Sequence, residues 1–239
     1  MNFVSLYPMF STSERKELIA YLEGFVSEQR KKRFHEVLSE RTDHIRVVLE
    51  DVYQGHNASA VLRSCDCFGV QHVHFIENKH HMKVNEEVAM GSSNWLTLHK
   101  HKGDAHNTPK ALRELKDRGY RIVATTPHKN DFTISTLPID EKMALVFGTE
   151  IDGITQEVMQ MADEFVRIPM YGFTESYNIS VSAALCLYEL TGRMRNEVKN
   201  YGMAPDEKEE VYYEWLKRSI DVGDLLVKDW IEKRKGKTE

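Results

Sequence analysis

Apolar positions recur with two different periods along the chain, and the change from one to the other divides it into three parts. From Ser11 the rhythm is helical: Leu18, Ile19, Leu22, Phe25 and Val26 recur at helical spacing, and Ser11 with Glu14 has the form of a capping box. Gly24 weakens this helix, and the continuation from Ser27 to Arg41 is dominated by charge. Beyond about residue 44, short apolar runs alternate with helical stretches, the pattern of βα units feeding a mostly parallel sheet. Strands are predicted at Ile45–Val52, Val73–Ile76, Trp95–His99, Arg121–Thr126, Met143–Phe147 and Phe165–Ile168, with helices at about Ala58–Phe68, Pro109–Arg118 and Thr155–Ala162. Thr108-Pro109 reads as an N-cap and first-turn pair, and Gly119 as the matching stop. A long helix follows at about Val181–Val198, where Ser182, Ala183 and Ala184 admit a close neighbour. Gly202 and Pro205 then break the chain, and helical rhythm returns from Val211 and Tyr212 through Trp215, Leu216, Ile220, Leu225 and Leu226 to Trp230. The expected organisation is an N-terminal helical arm (1–43), an α/β domain (44–199) and a C-terminal helical arm (200–239).

Composition narrows the function classes. With 239 residues, 41% of them hydrophobic and 29% charged, the chain has material for a core and is not of the disordered class. A formal net charge of -5 excludes a uniformly basic nucleic-acid coat, so any phosphate-binding surface must be local. Arg30, Lys31, Lys32 and Arg33 form the best such run, although a run of this kind also serves as a solvated helix face. Three cysteines, Cys65, Cys67 and Cys186, make no disulfide framework and no CxxC pair. No apolar run approaches the roughly 20 residues that span a bilayer, and Met1–Phe10 lacks the features of a signal peptide. A cytoplasmic, soluble protein with no membrane partner is expected.

Three stretches carry candidate chemistry. In the first, Asn57 to Val70, Asn57 stands where a loop gives way to a helix and reads either as an N-cap or as a site residue. Arg63 follows on the same helix, either as a surface salt-bridge partner or as part of an anion site beside the helix N-terminus. The second is a buried strand running into Gly148-Thr-Glu150-Ile-Asp-Gly153, in which Glu150 occupies the middle glycine position of a dinucleotide fingerprint and argues against one. The third runs from Ile168-Pro169 through Gly172, Ser176, Tyr177 and Asn178 to Ser180-Val181-Ser182-Ala183-Ala184. Its Pro/Gly loop and polar helix entry suit a flat heteroaromatic ligand.

Together, NxxAxxR with FGV, GxExxG after a strand, and IPMxGxxxSxNxSVxxA resemble the SPOUT RNA methyltransferases, in the branch that methylates ribose 2′-hydroxyls. His56-Asn57, Gly91 to Trp95 and Thr155-Gln156-Glu157 draw the likeness toward the tRNA guanosine-18 enzymes acting on the D-loop, while Tyr177 departs from the leucine usual there. The resemblance covers about residues 44–199 and implies a mostly parallel α/β domain with a C-terminal deep trefoil knot, an exception to the rule against knots. It also implies homodimers, S-adenosylmethionine as cofactor and tRNA as substrate. Thr125, Gly148, Ile168 and Tyr177 fall at the cofactor positions. Arg63, Asn57, Glu150, Ser176 and Asn178 fall at the catalytic ones, and Arg193 and Arg195 at further RNA contacts.

A ribosomal RNA 2′-O-methyltransferase is the nearest alternative. From other classes, a non-catalytic RNA-binding module competes, as does a metal-dependent hydrolase built on His72/His74 and His99/His101, since residues i and i+2 of a strand share a face. No carboxylate or cysteine stands at ligand spacing to those histidines, so no metal is expected.

Overall fold

The computed structural model describes residues 10–81, 85–129, 131–149 and 153–235. Its helices are α1 (Thr12–Glu23), α2 (Glu28–Ser39), α3 (Gly55–Phe68), α4 (Glu86–Ala89), α5 (Thr108–Asp117), α6 (Gln156–Met161), α7 (Ile179–Glu197), α8 (Pro205–Arg218) and α9 (Gly223–Lys235). The strands are β1 (Ile45–Glu50), β2 (His72–Ile76), β3 (Thr97–His101), β4 (Arg121–Thr125), β5 (Phe132–Thr133), β6 (Met143–Phe147) and β7 (Glu164–Arg167). The chain divides into two compact units, Thr42–Gly202 and a helical one made from Met1–Arg41 with Met203–Glu239.

In the α/β unit the strands pair in parallel in the order β3-β2-β1-β6-β4-β7-β5. Both faces are covered. Ile45, Val47 and Leu49 of β1 pack with Val61, Leu62 and Cys65 of α3 and Leu187 and Leu190 of α7. Val48 turns the other way, toward Leu112 and Leu115 of α5 and Val158 of α6. Burial on both faces is why these strands read as unbroken apolar runs rather than alternating ones. Each fully buried Val, Leu or Ile contributes about 1.5–3 kcal/mol, so this central strand is a large share of the core. All six predicted strands match to within two residues at each end. β1 ends two residues earlier than expected, and β3 starts two later because Trp95 closes a 3-10 turn over Ser92–Asn94. The two-residue β5 was not expected from the sequence; it is too short to leave a period.

Three local expectations are corrected. Asn57 is not an N-cap: α3 begins after Gln54, and Asn57 sits buried in its first turn. The cap of α5 is Asn107, and Thr108 is already helical, its hydroxyl donating to Glu50 Oε1 at 2.6 Å. The final helical rhythm is split between α8 and α9 by a turn at residues 219–222. Ser11 and Glu14, in contrast, make both bonds of the capping box.

The two arms are not separate. Within the helical unit α8 packs on α1, α2 and α9. Phe34 meets Tyr212 and Trp215 edge-on at 6.4 and 5.7 Å, His35 stacks on Tyr212 at 4.5 Å, and the Tyr212 hydroxyl donates to Glu23 at 2.7 Å. Among the described residues no helix is long and apolar enough to cross a membrane.

The four strand histidines bind one another. His72 Nδ1 lies 2.9 Å from His99 Nε2 and His74 Nδ1 lies 3.0 Å from His101 Nε2, while His74 and His99 stack at 4.2 Å. One ring nitrogen must accept in each bond, so the two rings of a pair are not both imidazolium. Burial, with His99, Arg46, His101 and His72 around it, holds His74 well below the ordinary imidazole value. Burial, with His72, Arg46, His101 and Arg118, pushes His99 down to about 2. His101 is lowered by burial too, Glu114 opposing and Arg118 and Lys110 assisting. Folded rings therefore stay neutral while the unfolded chain takes up protons below its value of 6.5. Stability is full above that pH and falls as pH drops through it, because only the unfolded chain gains protons there. Urea unfolding at pH 7.5 and 5.5 measures the difference, and coincident midpoints would refute neutral burial.

Candidate active site

The site lies at the carboxyl edge of the sheet, where the connections after β4, β6 and β7 meet. Thr125 ends β4 and donates its hydroxyl to Val146 O at 2.9 Å, tying that edge to β6. Gly148 follows β6 directly. A Cβ there would stand 2.2 Å from both the carbonyl carbon and oxygen of Gly153 and 2.4 Å from Ile154 N, so the two ends of the 148–153 loop close only around a glycine. Thr149 and Gly153 seal it with reciprocal backbone bonds of 2.8 and 3.2 Å, and Gly153 takes a φ of 69°. Glu150, expected inside this loop, lies outside the described residues.

Around these loops is a cavity of about 460 Å³. Thr125, Gly148, Ile168 and Tyr177 all line it, together with Ser176, Ile154 and Met159. Four positions spread over 53 residues of sequence thus converge on one space. Asn178 caps α7 beside it, its Oδ1 accepting from Ser180 N at 2.8 Å and Ser180 Oγ at 2.6 Å. Its Nδ2 donates to Asn57 Oδ1 at 3.1 Å, and Asn57 Nδ2 donates onward to Gln54 Oε1 at 3.2 Å. This one-way amide relay joins the first stretch to the third and fixes the orientation of both asparagines.

Other expected residues stand elsewhere. Arg63 is exposed on α3, outside the cavity lining, and makes no hydrogen bond or ion pair among the described residues. Arg193 donates to the carbonyls of Ile134 and Leu137 at 3.3 and 2.9 Å and pairs with Glu197 at 3.3 Å, holding α7 to the β5–β6 connection. Arg195 reaches Tyr201 Oη at 3.4 Å and Phe68 O at 3.5 Å. Arg30, Lys32 and Arg33 are exposed on α2 of the helical unit, Lys31 pairs with Glu28, and Arg33 contacts Glu36 at 3.5 Å.

Sequence reasoning missed Glu50. It is fully buried at the end of β1, where its carboxylate accepts from Thr108 Oγ1, Thr155 Oγ1 at 2.8 Å and Thr155 N at 3.2 Å, fixing the start of α6. Burial raises its pKa, the three bonds pull it back, and the Glu157 charge adds to the rise. The available signal was a lone acid closing an apolar strand at the carboxyl edge of the sheet.

A parallel α/β domain with a glycine-gated cavity at its carboxyl edge, reached by three separate loops, defines a small-ligand enzyme domain rather than a simple RNA-binding module. The chain belongs to the SpoU rRNA Methylase family, whose model matches residues 44–188. It is 40% identical over 202 residues to a tRNA (guanosine(18)-2′-O)-methyltransferase of Borreliella burgdorferi, covering 84% of this chain and 91% of that protein. An Escherichia coli K12 protein of the same name is 32% identical, with 85% and 86% covered. The crystal structure of the A. aeolicus TrmH/SpoU tRNA modifying enzyme superposes with a TM-score of 0.72 at 30% identity, over 81% of this chain and 98% of that one.

Proposed function

We propose that this chain is an S-adenosylmethionine-dependent RNA ribose 2′-O-methyltransferase that acts on guanosine 18 in the D-loop of tRNA. The observation that carries the reading is the convergence of Thr125, Gly148, Ile168 and Tyr177 on one cavity, in a chain whose relatives bear the name of that activity. The residues fit the cofactor. A volume of about 460 Å³ lies within the roughly 300–1,000 Å³ of small-ligand sites, and Ile154, Met159 and Ile168 offer apolar walls beside the exposed backbone at Gly148.

When bound, S-adenosylmethionine supplies a methyl group already activated by its sulfonium. The chain's own residues must bring a ribose oxygen in line with that methyl at roughly 3 Å and manage a weakly acidic hydroxyl. Arg63 does this as a cation, anchoring a phosphate and stabilising the developing alkoxide. A guanidinium does not give up its proton, so a phosphate oxygen or water takes the hydroxyl proton. Asn57, oriented by Asn178, positions the reacting hydroxyl, Ser176 holds the ribose, and Glu150 supports that network.

Two copies of the chain complete the site. This is supported by Val181, Leu185 and Tyr188, exposed at i, i+4 and i+7 on α7, with Tyr171 and Phe173 exposed in the loop before it. A trefoil knot is supported by β7, which pairs between β4 and β5 although those two are joined by only residues 126–131. A cytoplasmic location is supported by the free state of Cys65, Cys67 and Cys186.

The run on α2 captures RNA phosphates, with Arg193 and Arg195 as further contacts. Replacing Arg30, Lys32 and Arg33 by alanine should weaken tRNA binding and reduce the slope of log affinity against log salt by about 2–3. An unchanged slope would return the run to a solvated surface. Mass-spectrometric mapping of 2′-O-methyl groups in RNA from a strain lacking the gene tests the function itself. Loss at guanosine 18 of tRNA is expected. Loss in ribosomal RNA alone would favour the activity named for a Nitrosomonas europaea 23S rRNA relative, 36% identical over 60% of this chain, and no loss would overturn the reading.

A further inference from the structure

We propose that a second cavity, at the carboxyl edge of the sheet between β1 and β6, receives the base of the target nucleotide, and that Glu157 reads that base as guanine. The inference rests on the methyltransferase reading above and assigns the part of the nucleotide which that reading leaves unplaced.

Four observations carry it. The first is position. From β1 the chain runs one way to β2 and β3, while β6 and β4 lie on its other side, so the β1/β6 boundary is the switch point at which parallel sheets open a ligand crevice. A cavity of about 650 Å³ opens there. The second is adjacency: Thr149, Gly153 and Gln156 line this cavity and the cofactor cavity alike, so the two flank one loop. Gln54, the last member of the amide relay from Asn178, also faces it. On the reading above, the relay positions the reacting hydroxyl at one end and borders the second space at the other, through Gln54.

The third observation is a stacking wall prepared in advance. Tyr53 is 70% exposed and meets His80 edge-on, with ring centroids 4.9 Å apart, leaving a broad ring face open. Single bases splayed out of an RNA are held by such faces. The wall is fixed from beneath by Asp51, whose Oδ1 accepts from the backbone N–H of Asn78, Lys79 and His80 at 3.0, 2.8 and 2.9 Å. Asp51 does so at a φ of 54°, a left-handed conformation uncommon outside glycine, and the three bonds hold it there. The amide relay and the α3–α7 packing do not use this strained anchor; its effect is to place the 78–80 segment against the cavity.

The fourth is the reader. Glu157 lies in the first turn of α6, lines the cavity, and has no hydrogen bond or ion pair among the described residues. Guanine presents N1–H and an N2 amine side by side, two donors that one carboxylate accepts in parallel. Adenine presents an acceptor at N1, which the same carboxylate repels. Neighbouring Gln156, Thr155 and Asn78 supply further polar contacts.

The test uses the full-length enzyme with its methyl donor and tRNA transcripts carrying guanosine, inosine or adenosine at the methylated position. Inosine keeps N1–H and lacks the amine. The wild-type protein is expected to favour guanosine over inosine roughly 10- to 100-fold in kcat/KM. Glu157→Gln should bring that ratio close to one while leaving cofactor affinity by calorimetry unchanged, a change that a purely structural role for Glu157 would not produce. A guanosine preference that survives Glu157→Gln overturns the proposal. If the wild-type protein methylates no RNA, the methyltransferase reading fails separately, and calorimetry with guanosine 5′-monophosphate decides the cavity. Binding weakened roughly 5- to 150-fold by Tyr53→Ala would support a base site, and no binding to the wild-type protein would overturn it.

Discussion

An Arg63→Ala variant should lose methyl transfer by roughly 100- to 1,000-fold in kcat while binding S-adenosylmethionine as the wild-type protein does. The two halves of this expectation have different origins. Arg63 is exposed on α3 and absent from the lining of the cofactor cavity, so its removal leaves that cavity intact. No ion pair or hydrogen bond among the described residues depends on it, so the fold should not notice either. What disappears, on the proposed mechanism, is the permanent cation that would stabilise the developing alkoxide. Arg63→Lys keeps the charge and loses the planar fork, and should recover only part of the rate. Rates on tRNA together with calorimetry of the cofactor check both halves. Activity retained in the alanine variant would remove Arg63 from the mechanism, and lost cofactor binding would relocate its role.

The second large effect is expected at Gly148. A methyl group there would meet the Gly153 carbonyl and the Ile154 nitrogen at 2.2–2.4 Å, and backbone atoms cannot swing aside as the end of a long side chain can. Gly148→Ala must therefore push the 148–153 loop off its closure. Overpacking of this kind costs about 1–3 kcal/mol. Because both sides of the contact line the cofactor cavity, most of that cost should appear as lost affinity, up to roughly 100-fold. Gly172→Ala is the matched control, since nothing lies within 4 Å of the Cβ it would add. Cofactor titrations of the two variants should differ by at least tenfold, and equal affinities would show that the loop yields easily.

What could be read from the sequence follows from where each signal is stored. Strands buried on both faces and helices with one apolar stripe write their period locally, which is why β1, β2, β4, β6 and β7 and the helices α3, α5, α6 and α7 are legible to within a few residues. The convergence on a cavity at the carboxyl edge was legible through its glycines and its Pro/Gly loop, because a close backbone approach demands particular residue types at particular places. Glu50 was not, since its meaning depends on Thr108 and Thr155, 58 and 105 residues away. Nor was the union of the two arms, held by contacts such as Tyr212 with Glu23, separated by 189 residues. Arg193 could be seen as a cation but not as the partner of two loop carbonyls. The relay Asn178–Asn57–Gln54 joins two stretches that were each recognisable, yet the bond between them belongs to the fold alone.

The place of β1 at the centre of the sheet has a consequence for synthesis. Its first neighbour, β2, follows within about 30 residues, but the partner for its other edge, β6, begins only at Met143, about a hundred residues after Ile45. At roughly 5–20 residues per second the growing chain carries that open edge for about 5–20 s. During this interval an apolar strand displays a row of unpaired backbone groups, the template on which chains pair with each other instead of with themselves. Refolding from denaturant at high protein concentration should therefore lose material at the step before β6 docks.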